Sequence, residues 1–177
     1  METLQCIETR RSIRRFKDKP IEKDTIEKLV KEAQYAPTWK NSQTSRFTAV
    51  TDKEILKEIC TALPDFNAAI VNNAPMLMAV SALTKRSGYE RDGSPTTIYG
   101  EAYTYFDCGL TVQTLCLAAH DLGIGTVILG IFDPNRVKAM LQIPDNEDLL
   151  VLVACGYHEA EVQAPKRREL NEILRIL

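Results

Sequence analysis

Segments of helical and strand period alternate along this chain, which predicts a sandwich of α/β or α+β class in which helices cover a sheet. Three observations carry the expectation. Apolar residues at 26, 29, 30 and 33 follow the i, i+3, i+4, i+7 stripe of an amphipathic helix. "LLVLVACG", residues 149–156, is a short apolar run that reads as a central strand. Between them, "FDCGLTVQTLCLAAHDLGIGT", from Phe106, is apolar nearly all round and suits a helix buried mid-domain.

The remaining elements follow in order. Leu4 and Ile7 suggest a short first helix ending near Arg10, and "SIRRF" (12–16) looks extended. The amphipathic helix begins after Ile21 and turns Lys23, Glu27, Lys28 and Glu32 outward. Pro37 disfavours helical geometry at Ala36, so the helix stops there and the loop "PTWKNSQ" begins. "RFTAV" reads as a strand. "TDKE" has the pattern of a capping box, with Thr51 as cap and Glu54 reaching back, opening a helix through about Leu63. "MLMAVSA", behind Pro75, reads as a buried strand. Residues 83–105 hold three glycines, a proline and four of the six tyrosines, a loop-rich excursion of the length that a lid or binding segment requires. Gly123 suits the end of the long helix. "TVILGIF" is strand-like. Asp133 as N-cap and Pro134 at the first helical position open a helix that closes at Pro144. A polar tail, "YHEAEVQAPKRREL", and a short apolar helix, "NEILRIL", finish the chain. No internal repeat or low-complexity segment interrupts it.

A chain of 177 residues fits a single domain, 1–177, with its variable insertion at about 83–105, and buries roughly 70% of its unfolded surface without staples. The net charge of −2 argues against general nucleic-acid binding, which needs a basic face, though not against a local pocket for one small anion. Five cysteines, with no C-x-x-C pair, point to reduced thiols rather than a disulfide frame or zinc site. No apolar run reaches membrane-span length and the N-terminus lacks a signal-like stretch, so a cytoplasmic setting is expected.

Signatures of protein-borne catalysis are absent. His120 and His158 have no acidic or cysteine partner at a motif spacing, and His120, ending a helix, reads as a dipole partner. No metal-ligand spacing occurs. "GIGTVILG" follows a helix and precedes a strand, the reverse of a dinucleotide-binding turn. Two basic clusters remain: Arg10, Arg11, Arg14 and Arg15 around Ser12, and Lys166–Arg167–Arg168. If residues 10–14 are extended, Arg10, Ser12 and Arg14 share one side, and two guanidinium forks flanking a hydroxyl suit a phosphate monoester.

These residues carry a resemblance. "ETRRSIRRFKDKPIEKDTIEKLVKEAQYAPTWKNSQTSRFTAV" resembles the opening of the FMN-dependent nitroreductase family, R-R-S-x-R-x-F, a helix, then A-P-S-x-x-N-x-Q-P-W-x-F. "DCGLTVQTLCLAAHDLGIGTVILGIFDPNRVKAML" looks like its central helix, turn, strand and following helix. "LVLVACGYHEAEVQAPKRREL" looks like its last core strand and phosphate-contacting tail. The likeness spans most of the chain outside 83–105.

The resemblance implies an α+β fold with a central, mostly antiparallel sheet flanked by helices, and an intertwined homodimer with FMN at the interface. It implies that Arg10, Arg11, Ser12 and Arg14 meet the flavin's phosphate, ribityl chain and pyrimidine edge, and that Lys166 and Arg168 close on the phosphate. Asn67 would stand on the ring. Ile128, Leu129 and Gly130 would pass near flavin N5. Pro37, Thr38 and Trp39, with Asn41 and Gln43 nearby, would pack on the flavin from the second subunit; otherwise Trp39 plugs the dimer core. Thr44-Ser45 replaces the family's P-W, Trp39 is bulky where many members have a small residue or histidine, and Leu129 stands where some have a glutamate facing N5. The implied activity is oxidation of NADH or NADPH by FMN and reduction of a nitroaromatic, a quinone or a similar small flat acceptor, by a ping-pong cycle with no protein-borne catalytic residue. A non-catalytic flavin-binding or sensing protein, a specialised relative such as a reductive dehalogenase, and a cofactor-free structural domain are the alternatives. Tyr89, Tyr99, Tyr103 and Tyr105 either stack on an acceptor or, for the last two, begin the long helix.

Overall fold

The computed structural model describes every residue except Glu159 and Glu161; both belong to the expected polar tail and lie outside the described residues. Strands β1 (Ser45–Val50), β2 (Met76–Leu83), β3 (Gly125–Leu129) and β4 (Glu147–Gly156) form one sheet in the order β1-β2-β4-β3, antiparallel throughout. The α+β class is met, and "LLVLVACG" is the inner strand it was expected to be. Register pairs such as Met78↔Val153 and Val127↔Ala154 fix the two faces, with one irregularity at Val80/Ser81.

Strand side chains alternate, so each inner strand feeds two cores. Leu77 and Ala79, with Leu152 and Ala154, face a layer of α3 (Lys53–Cys60), α4 (Asp65–Asn73) and α6 (Pro134–Leu141). Met76, Met78 and Val80, with Val153 and Cys155, face α2 (Lys23–Ala33) and α5 (Ala102–Asp121). Helix α5 buries eight residues, from Thr104 to Ala119, and touches α1 (Thr3–Thr9), α2, β1, β2 and β3. Among the described residues no helix is long and apolar enough to cross a membrane.

Two local expectations need correction. Asp52, not Thr51, caps α3, its carboxylate accepting from the N–H groups of Glu54 and Ile55; an Asx side chain one residue later fits the same geometry. The helix expected through Leu63 ends at Cys60, and behind Pro64 a separate helix, α4, which the sequence left unassigned, begins at Asp65. The short first helix ends at Thr9 as expected, with Cys6 its buried residue and Leu4 and Ile7 exposed. The Asp133 cap and Pro134 stand as expected. The last helix, α7 (Leu170–Ile173), and the whole described stretch from Val162 to Leu177 are exposed.

All five cysteines are free, and only Cys60 is not fully buried. Burial pushes the Cys108 thiol up to about 11 and raises those of Cys60, Cys116 and Cys155 as well. Iodoacetamide at pH 8 should therefore alkylate Cys60 alone in the native protein and all five after denaturation, read by mass spectrometry; labelling of Cys155 at a comparable rate would contradict this packing.

Candidate functional site

The basic segment lies across the end of β3. Ile13 donates its N–H to the Thr126 carbonyl at 2.9 Å, Ser12 bridges Thr126 in parallel, and Phe16 bridges His158. Two glycines permit this close approach. A Cβ on Gly125 would stand 2.7–2.9 Å from the Ile13 side chain, and one on Gly156 would meet Pro75 at 2.6 Å and Phe16 at 2.9 Å. The segment is therefore pressed onto the sheet by Ile13 and Phe16, both buried, while the residues between them face outward.

Arg10, Arg11 and Ser12 are half-buried and Arg14 is exposed. Arg11 Nη1 donates to the Glu8 and Arg10 carbonyls at 2.6 and 2.8 Å, and Arg14 reaches the Ser12 carbonyl at 3.4 Å. Among the described residues no carboxylate pairs with Arg10, Arg11, Arg14 or Arg15. Guanidinium groups that no described carboxylate neutralises can take an anion. His120 stands beside them in the last turn of α5, where burial and then the Arg10 charge hold it below the usual histidine range. Thr9 gives its single hydroxyl proton to the Gln5 carbonyl at 2.6 Å, so the 2.8 Å contact to His120 Nε2 requires that nitrogen to carry a proton.

From Thr126 the strand runs four residues, about 13 Å, to Gly130. Ile128 is exposed at this end, Leu129 is buried in the core, and Gly130 is exposed, so Leu129 offers the site only its backbone. Asn67, buried in the first turn of α4, donates from Nδ2 to the Ile131 carbonyl at 2.9 Å. One of its two Nδ2 hydrogens thus holds the turn after Gly130.

The loop from Pro37 to Gln43 sits elsewhere, against the first turns of α5. The Trp39 N–H meets Asp107 Oδ2 at 2.8 Å, and the indole packs on Tyr103 with ring centroids 4.3 Å apart. Pro37, Asn41 and Gln43 are exposed, Thr38 half-buried. Lys40, Asn41 and Gln43 have φ of 44°, 54° and 48°, left-handed geometry that only asparagine adopts readily among the three. Thr38 Oγ1 accepts the Gln43 N–H at 3.1 Å and helps hold it. The indole Nε1–H is buried without a partner. A cleft of about 570 Å³ opens beneath this loop, between α2 and β1 and not over the arginines.

Lys166 and Arg168 stand exposed in the tail, paired with Glu169 at 3.9 Å and Glu172 at 3.4 Å. The chain thus leaves its expected site residues in three places. The arginine segment contacts the last turn of α5 through Thr9 and His120, and the Trp39 loop contacts the second turn through Asp107; thirteen residues of helix separate these by about 20 Å.

A sequence profile described as Nitroreductase family matches residues 7–157. The chain belongs to the nitroreductase family. Membership makes it an oxidoreductase. Among its relatives, an Archaeoglobus fulgidus protein named as a candidate NADH dehydrogenase/NAD(P)H nitroreductase is 36% identical over 90% of this chain and 87% of its own. The crystal structure of a nitroreductase family protein from Clostridium novyi NT is 28% identical, with 90% and 86% of the two chains covered and a TM-score of 0.79. An FMN-dependent nitroreductase from Clostridium difficile R20291, 22% identical with 98% of each chain covered, shares the fold at a TM-score of 0.81.

Asp107, Ser87 and Ser42, which hold the Trp39 loop, were not among the residues the nitroreductase resemblance singled out. One signal was available: Asp107 is a carboxylate well inside a mostly apolar helical run, and a buried charge needs partners.

Gly125→Ala should lower stability by about 1–3 kcal/mol, because the added methyl overpacks against the branched Ile13 side chain. Thermal denaturation checks it, and an unchanged melting temperature would mean that the arginine segment is not pressed on β3.

Proposed function

We propose that this chain is an FMN-dependent oxidoreductase that passes electrons from NADH or NADPH to a small flat acceptor such as a nitroaromatic or a quinone, by a ping-pong cycle. The observation that carries the reading is the arginine segment at the head of β3, which no carboxylate among the described residues neutralises, in a chain of the nitroreductase family. When bound, FMN supplies hydride acceptance and electron delivery, with donor and acceptor using one place in turn.

Arg10, Arg11 and Ser12 fit the anionic phosphate end, as their donors lie half-buried on one segment. Arg14, exposed and held only by a 3.4 Å contact, is free to face a flavin edge that gains negative charge on reduction. The exposed backbone around Gly130, kept in place by Asn67, fits the approach to N5, with Ile128 and Leu129 leading into it. Pro37, Thr38, Trp39, Asn41 and Gln43 would supply the opposite face. Their place some 20 Å along α5 supports a site built from two copies, one giving the arginines and the other giving Trp39.

The tail supports the same homodimer. Val162, Leu170, Ile173, Leu174, Ile176 and Leu177 are exposed, as are Leu4 and Ile7 of α1 and Phe106 of α5. So much unpartnered apolar surface suits burial against a second copy, which would also carry Lys166 and Arg168 toward a phosphate.

The purified protein should show flavin absorbance that bleaches under nitrogen on adding NADH or NADPH. A colourless protein that takes up no FMN would contradict the reading, and bound flavin that neither nucleotide bleaches would favour a binding or sensing role.

A further inference from the structure

Asp107 is the one charged residue on the buried face of α5, 2% exposed. Its Oδ2 gathers donors from two loops that are distant in sequence, the Trp39 N–H at 2.8 Å and the Ser87 hydroxyl at 2.5 Å, with the Ser42 hydroxyl 3.5 Å away. Ser87 Oγ also lies 2.7 Å from Ser42 Oγ. Ser87 has one proton, and the carboxylate is the stronger acceptor, so Ser42 donates to Ser87 and Ser87 to Asp107. Ser87 is fully buried and belongs to the excursion between β2 and α5; Ser42 belongs to the Trp39 loop.

The same two loops meet at their rim. Lys40 Nζ reaches both Glu90 oxygens at 2.9 and 3.1 Å, and Thr96 donates to Glu90 at 2.9 Å. These contacts are exposed and weak, whereas the Asp107 hub is shielded from water. A hub is needed, because three left-handed non-glycine residues in four positions would relax if released. Above it Trp39 lies on Tyr103, and the exposed Tyr99 and Phe106 rings stand edge-on to Tyr103 at 6.3 and 6.4 Å.

We propose that Asp107 is a positioning residue that locks the Trp39 loop to the 84–101 excursion, making Trp39, Tyr103 and Tyr99 one rigid aromatic wall that discriminates among acceptors by size. The discrimination rests on the oxidoreductase function proposed above; the lock does not.

Trp39 is the only tryptophan, so its emission reports the lock directly. In Asp107→Ala that keeps its circular dichroism, acrylamide quenching of Trp39 should rise several-fold and the emission should shift to the red. Asp107→Asn should fall between, since its Oδ1 still accepts the Trp39 N–H. The KM of a bulky quinone relative to a small one should drop by about tenfold in Asp107→Ala, with kcat changing less. Should that variant fail to fold, Ser87→Ala removes one hydroxyl and no charge and carries the same readouts. Unchanged quenching in a folded variant overturns the lock. Altered quenching with an unchanged acceptor ratio overturns the discrimination. If the wild-type protein reduces no acceptor, the oxidoreductase function and the discrimination fall together, and quenching alone still decides the lock.

Discussion

An α-helix cannot shorten, and α5 sets the spacing of everything that bears on function. Its twenty residues rise about 30 Å, with the Trp39 loop fastened near one end and the arginine segment near the other. Eight of its residues are buried against the sheet and α2, so neither end is free to swing toward the other. Residues that the family resemblance gathers around one flavin are thereby held apart within one chain. The proposed two-copy site follows from this rigidity, since a second α5 brings the missing end within reach.

The two halves are built on different physics. At the arginine end the chain makes a charge problem and leaves it open: four arginines in six positions, a histidine held below its usual range by burial and then by Arg10, and no described carboxylate to answer them. An anion there completes the local electrostatics. At the Trp39 end the chain spends backbone strain, held by a buried carboxylate, to place an aromatic ring. One end suits the charged part of a cofactor and the other a flat surface, and the 13 Å of β3 from Thr126 to Gly130 suits an elongated ligand.

Much of the fold was legible because periodicity reports burial. The stripe at 26, 29, 30 and 33 became α2, and "LLVLVACG" became an inner strand because both of its faces are covered. Helix α4 was less legible: "DFNAAIVNN" buries only Asn67 and Val71, too few for a clear stripe. The capping of α3 slipped by one residue because Thr51 and Asp52 can both cap, and only the backbone turn selects between them. Of the site, the arginine segment could be read from side-chain chemistry alone. The Asp107 hub could not, since it joins residues up to 68 positions apart and no local pattern encodes that meeting. Nor could the buried side chain of Leu129, which turns on the register of β3 against β4.

The central claim is that one copy supplies the arginines and another the Trp39 loop. Mixing two variants tests it most directly: one with Arg10, Ser12 and Arg14 replaced by alanine, the other with Trp39 and Asn41 replaced. Each alone should lack flavin. Unfolded and refolded together, they form mixed dimers in which one of the two sites takes both halves from intact segments. About one quarter of the wild-type flavin should then return, by the statistics of a two-fold dimer. If both halves serve a site within one chain, every site in the mixture is broken and no flavin returns.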